Sequence, residues 1–153
     1  MGNIATQEKF RIKKFEVDYT IFRNRFWPHV LKRYPEVELS AATVWTEIYS
    51  IIKGSAGCHR ESSWSLSKID YFDSKVNRSV LNLNMKTQVY EIFQNYERWK
   101  IQREGYDLMD LVNYLLVQII FGQYDGPSIH YMMIDEVQDL PHAILLLIIK
   151  MTE

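Results

Sequence analysis

Two adjacent carboxylates follow an apolar run in this chain. Ile129–Ile134, interrupted only by His130 and Tyr131, leads into Asp135 and Glu136, then Gln138 and Asp139. Acids at the end of a buried strand suit nucleotide hydrolysis. Asp135 is placed to hold a magnesium ion, through a water of the ion's shell. Glu136 is placed to position and deprotonate an attacking water. Gln138 is placed to sense a γ-phosphate or to link it to a facing domain, and Asp139 is grouped with it on the nucleotide side of the turn. The same residues also fit a plainer arrangement, an exposed turn whose acids favour the start of a helix at Pro141.

Such chemistry needs elements to position it. A strand buried on both faces of a parallel sheet reads as nearly continuous apolar sequence, and ligands sit beyond the carboxyl ends of such strands. Ile129–Ile134 has that composition. It would need hydrogen-bonding neighbours, from the alternating Phe15, Val17 and Tyr19 or from a partner. Helices account for most of the rest. Ile21, Phe22, Arg25, Phe26 and Trp27 fit a helical period, bent or ended near Pro28. Ser40 is an N-cap for a helix with Val44, Trp45, Ile48, Ile51 and Ile52 on one face, and Gly54 is its natural stop. Ser67 with Asp70 is close to a capping box. From Asn84 to Arg103, the stripe Met85, Val89, Ile92, Phe93, Tyr96 and Trp99 predicts a long helix with a core face, ended by Gly105. Asp107 is an N-cap candidate before Leu108, Leu111, Val112, Leu115, Leu116, Ile119 and Ile120. The Gly-Gln-Tyr-Asp-Gly-Pro stretch then breaks the chain. Pro141 opens a last helix whose apolar run, Ala143–Ile149, is expected to be buried.

Composition narrows the class. The 153 residues are 47% hydrophobic with a net charge of -1, which predicts a globular domain with no global attraction to nucleic acid or membrane. The longest apolar run is too short to span a bilayer. One cysteine, Cys58, excludes an internal disulfide framework and suits a reducing compartment, nuclear or cytoplasmic. His59 beside it makes only half of a metal-ligand set. Gly2 and Thr6 match a myristoylation pattern, against which an ordinary start is the better reading. Arg11, Lys13, Lys14, Arg23, Arg25, Lys32 and Arg33 are interleaved with aromatics. They fit a solvated helix face better than a phosphate-backbone contact.

The order Asp-Glu-x-Gln-Asp resembles the Walker B element (motif II) of superfamily 1 helicases of the UvrD/PcrA type. The blocks "WPHV", "VWTEIYSIIKGS", "VYEIFQNYERWK", "GYDLMDLVNYL" and "IHYMMIDEVQDL" resemble the helicase-like region of large TPR and ankyrin repeat-containing proteins. Together they cover Asp18 to Lys150. That resemblance implies a mainly α fold with a short β element, a partial P-loop NTPase (RecA-like) α/β domain. Residues 1–17 would be a lead-in, 18–125 a helical 1B-like insertion, and 126–153 the Walker B strand and its following helix. It implies ATP and Mg2+ as cofactors in a full-length context, with DNA or RNA and the missing remainder of the helicase core as partners, and no membrane. One departure is decisive for activity. No Gly-Lys-Ser or Gly-Lys-Thr phosphate loop occurs, and no lysine follows the second glycine of "KGSAGCHRE". The isolated chain is therefore not expected to hydrolyse ATP. The alternative is a non-enzymatic helical protein-interaction module derived from such a helicase.

Overall fold

Phe15–Glu16 (β1) runs parallel to Gly105–Tyr106 (β2), with Phe15 opposite Gly105 and Glu16 opposite Tyr106. The backbone N–H of Val17 donates to the Tyr106 carbonyl at 2.6 Å, extending the ladder by one bond. This two-stranded sheet comes from a computed structural model that describes residues 15–55, 65–73, 79–127 and 129–152. Gly2, Thr6, Arg11, Lys13, Lys14, Cys58 and His59 lie outside them. Gly105 is a strand residue rather than a helix stop. A Cβ there would sit 3.2 Å from both the Phe15 ring and the Val17 side chain, so any larger residue would make those side chains shift by a few tenths of an ångström. The left-handed turn that frees the chain from the preceding helix falls on Glu104 instead (φ 55).

All other regular elements among the described residues are helical. Tyr19–Ile21 (α1) is capped by Asp18, whose carboxylate accepts from the Ile21 N–H at 2.7 Å. It passes into a wide π turn, Phe22–Phe26 (π1), and then into Trp27–Arg33 (α2). Pro28 neither ends nor breaks this run. A proline has no N–H for the carbonyl four residues back and its ring crowds that carbonyl. The preceding π turn, closed by Trp27 N–H on Phe22 O, takes up the mismatch. Ala41–Thr46 (α3) carries the Ser40 cap, and its continuation Glu47–Ile52 (π2) closes with Lys53 N–H on Ile48 O at 2.9 Å. Lys68–Phe72 (α4) is opened by Ser67. Leu83–Gln102 (α5) is capped by Asn82. Leu108–Ile120 (α6) has a full capping box between Asp107 and Asp110. Gly122 (φ 64) lies just beyond its end. After a 3-10 turn at Val137–Asp139 comes His142–Thr152 (α7).

Two cores hold these elements. The larger is aromatic: Phe22, Phe26, Trp27, Tyr71, Tyr96 and Trp99 pack with Val44, Ile48, Ile52, Val89 and Ile92. Tyr96 meets Phe22 and Phe26 edge-on, both at 5.4 Å between ring centroids, an arrangement favoured by the ring quadrupole. The smaller core joins α6 to α7 through Met109, Val112, Leu116, Ala143 and Leu147, elements on opposite sides of residue 125. The final helix is only partly covered. Ala143 and Leu147 are buried, but Ile149 is exposed.

The expected strand at Ile129–Ile134 does not form. These residues carry no regular structure, and β1 takes β2 as its neighbour instead. Among the described residues, no backbone–backbone hydrogen bond is made between Tyr124 and Asp135. A strand exists only as a member of a ladder, and here the ladder is absent. The fold is therefore mainly helical with one minimal parallel sheet, and nothing among the described residues builds the sheet of a P-loop NTPase.

Candidate functional site

Helix caps and helix ends converge on one buried ionic cluster. Asp107 must cap α6, since its carboxylate accepts the Asp110 N–H at 3.0 Å while Asp110 accepts the Asp107 N–H at 3.1 Å. That exchange fixes both carboxylates at the start of the helix. Lys53 reaches them from the end of π2. Its Nζ lies 2.6 Å from Asp107 Oδ2, 2.6 Å from Asp110 Oδ1 and 3.3 Å from Glu97 Oε1. Lys100 reaches them from α5, with its Nζ 2.7 Å from each of Glu97 Oε1, Asp107 Oδ2 and Asp110 Oδ2. The Tyr96 hydroxyl donates to Asp107 Oδ2 at 3.1 Å, and the Lys100 ammonium stands 5.0 Å over the Tyr96 ring. Lys53 and Lys100 are 2% and 1% exposed.

The electrostatics follow from that enclosure. For Lys53, burial alone would lower the pKa, but Asp107, Glu97 and Asp110 outweigh it and hold the ammonium well above its ordinary value. For Asp107, burial would raise the pKa, and the two lysines reverse that and leave it lowered. Burial, and then the negative charges of Asp107 and Glu97, push the Tyr96 phenol well up. Asp107 is thus held charged and Tyr96 held neutral. Glu97, Asp107 and Asp110 lie close enough together to surround a metal ion. The two ammoniums already occupy that space, and every carboxylate of the group is bonded to a lysine. The cluster ties π2, α5 and α6 together; its two lysines and two aspartates are buried, and Glu97, with 28% of its side chain accessible, stands at its rim. A second, smaller polar contact lies deeper in the large core, where the Tyr71 hydroxyl donates to Glu47 at 2.8 Å and Lys86 Nζ donates to the Tyr71 carbonyl at 3.4 Å.

The acidic turn stands elsewhere and is open. Asp135, Glu136, Gln138 and Asp139 are all exposed. Asp135 Oδ1 accepts the Glu136 N–H at 2.9 Å, and the Gln138 amide donates to Glu136 Oε2. Glu136 adopts a left-handed conformation (φ 52), which costs a non-glycine residue about 1–2 kcal/mol. The structure thus brings Asp135, Glu136 and Gln138 together, but on the surface and without a buried strand behind them. What precedes them is equally exposed: Tyr131 is 79% and Met133 84% accessible, and Met132, Ile134 and Val137 are exposed as well. Four consecutive large apolar residues in water are uncommon on a monomer's surface.

The sequence does contain signals for the ionic cluster. Lys53 follows Ile48 and Ile52 on the buried face of its helix, and Lys100 lies four residues beyond Tyr96 on the apolar stripe. A lysine on an apolar face must find a carboxylate. The Asp-x-x-Asp of the capping box supplies two.

Compared with known proteins, the chain is 25% identical over 134 residues, 88% of its length, to the human protein named "TPR and ankyrin repeat-containing protein 1". It spans about 4% of that protein's length. No family model matches the chain, and no solved structure does. These comparisons overturn the UvrD/PcrA-like helicase resemblance. The likeness they give is to a protein named for its TPR and ankyrin repeats, with no helicase model or fold beside it. The helicase and ATPase assignments that rested on that resemblance fall with it, as does the reading of Ile129–Glu136 as a Walker B strand. Among the described residues, no helix is long and apolar enough to cross a membrane.

Proposed function

We propose that this chain is a non-enzymatic helical module that binds another protein, and that Tyr131–Ile134 with Val137 is part of its contact surface. The observation that carries this reading is the exposure of those apolar side chains, with Tyr131–Ile134 on a stretch that makes no backbone–backbone hydrogen bond among the described residues. Unpaired amides and carbonyls beside exposed Met, Ile and Tyr are what a partner's strand or groove covers. Methionine adapts to irregular surfaces, and tyrosine supplies contact area at little entropic cost. The ionic cluster supports the same reading, because its carboxylates and ammoniums are spent on one another. The nuclear or cytoplasmic setting remains part of this proposal.

A photo-reactive phenylalanine analogue placed at Met133, and separately at the equally exposed Ile69 in α4, tests it in cells. The expected result is a discrete heavier product from position 133 and none from 69. That product should re-form from the two purified proteins. No product, or the same products from both positions, overturns the proposal. Glu136→Gln in the same chain should leave the yield from position 133 unchanged. Loss of the product would return the role to the carboxylate.

A further inference from the structure

A second surface is built quite differently. Between α2 and α5 lies a cleft of about 270 Å³ lined by Phe26, Val30, Tyr34 and Trp99 together with Arg33, Arg98 and other polar side chains. None of its lining residues is a carboxylate. Arg33 stacks over the Tyr34 ring at 5.7 Å and makes no ion pair among the described residues. Arg98 is held by two uncharged acceptors, the Gln94 carbonyl at 3.3 Å and Asn95 Oδ1 at 2.7 Å. Asn95 in turn donates to the Tyr34 hydroxyl at 3.0 Å, which leaves that hydroxyl's own proton to be donated. The Trp99 indole N–H is buried with no acceptor among the described residues, an expensive state for a polar group. The cleft therefore carries two guanidiniums and no carboxylate, against an aromatic wall.

We propose that this cleft binds an acidic peptide segment of a partner protein. One carboxylate lies against Arg33 and Arg98, and a neighbouring apolar side chain lies against Val30 and Trp99. Guanidinium forks match planar carboxylates in geometry as well as charge. A polynucleotide is disfavoured on two counts. The chain's net charge of -1 gives no field to gather a polyanion, and the cleft has room for one or two side chains rather than a row of stacked bases. This inference rests on residues other than those of Tyr131–Ile134, so either can fail while the other stands.

The test is a titration of the protein labelled with 15N at its tryptophan indoles, the Trp99 signal being assigned from Trp99→Phe. The probes are acetyl-Glu-Glu-Phe-Glu-amide, its glutamine counterpart and a short oligouridylate. The acidic peptide should move the Trp99 indole resonance, bind more weakly as salt is raised, and lose about tenfold or more in affinity in R33Q/R98Q. Both arginines are exposed, so the indole spectrum of that variant should otherwise be unchanged. The glutamine peptide should not bind. No shift with the acidic peptide, equal binding of the glutamine peptide, tighter binding of oligouridylate, or unchanged affinity in R33Q/R98Q each overturns the proposal.

Discussion

Asp107 does three things with one carboxylate. It caps α6, takes both buried lysines and accepts the Tyr96 hydroxyl. Removing one partner of a buried ion pair leaves uncompensated charge, at a cost of about 3–5 kcal/mol, so Asp107→Ala should lower unfolding free energy by at least that amount in a urea titration. A loss under about 1 kcal/mol, the value of an exposed pair, would show that water reaches the cluster. The pH dependence follows from the same residues. Asp107's folded pKa is below its ordinary 3.8, so its contribution is present above that value and is lost as pH falls through the folded one. Lys53's folded pKa is above its ordinary 10.5, so its contribution is full below that value and fades as pH rises through the folded one. Tyr96 and Tyr71, both raised, weaken the fold in the same alkaline direction. Stability measured against pH should therefore show a broad plateau at neutral pH with losses at both extremes. In Lys53→Met the alkaline arm should shrink.

Among the elements, the π2 turn and the last helix depend on one glycine. A Cβ on Gly54 would lie 2.6 Å from the Tyr49 carbonyl oxygen, 2.7 Å from that of Ser50 and 2.8 Å from Pro141 Cβ. The Gly54 carbonyl also accepts the Ala143 N–H at 2.9 Å, so it anchors the start of α7. Backbone oxygens cannot step aside. Gly54→Ala should cost about 1–3 kcal/mol and should loosen α7 more than α5, seen as faster amide exchange at Leu147 than at Tyr96. The sequence marks Gly54 as a helix stop, and it does end π2. Its service as a docking point for a helix some ninety residues later has no local signature, because the contact exists only once both elements are folded. Gly105 and Glu104 show the converse. Gly105 reads as a helix terminator, yet it packs closely under β1 and Glu104 takes the left-handed turn.

Over the whole molecule, backbone hydrogen bonding divides a protected body from an open stretch. Amides of α5 are bonded along the helix and buried on its aromatic face, whereas those of residues 129–134 have no acceptor among the described residues. Hydrogen exchange should be slow in the first and near the unprotected rate in the second. Protection of 129–134 that grows with protein concentration would indicate that a second copy covers the segment.

Local forces determined much of this chain from its sequence. The caps at Ser40, Ser67 and Asp107 and the periodic faces of α3 and α5 depend on neighbours within four residues and formed where the pattern placed them. On α6, by contrast, Leu108 and Ile120 of the expected face are exposed and Met109, Asn113 and Gln118 are buried. Ile129–Ile134 has the composition of a strand, but pairing is a property of two segments, and β1 is paired with β2. The ionic cluster joins Lys53 to residues 44, 54 and 57 positions away. Only the tertiary structure could decide which carboxylates those lysines would meet, because burial makes an unmatched charge intolerable and leaves the choice of match to the packing of three helical elements.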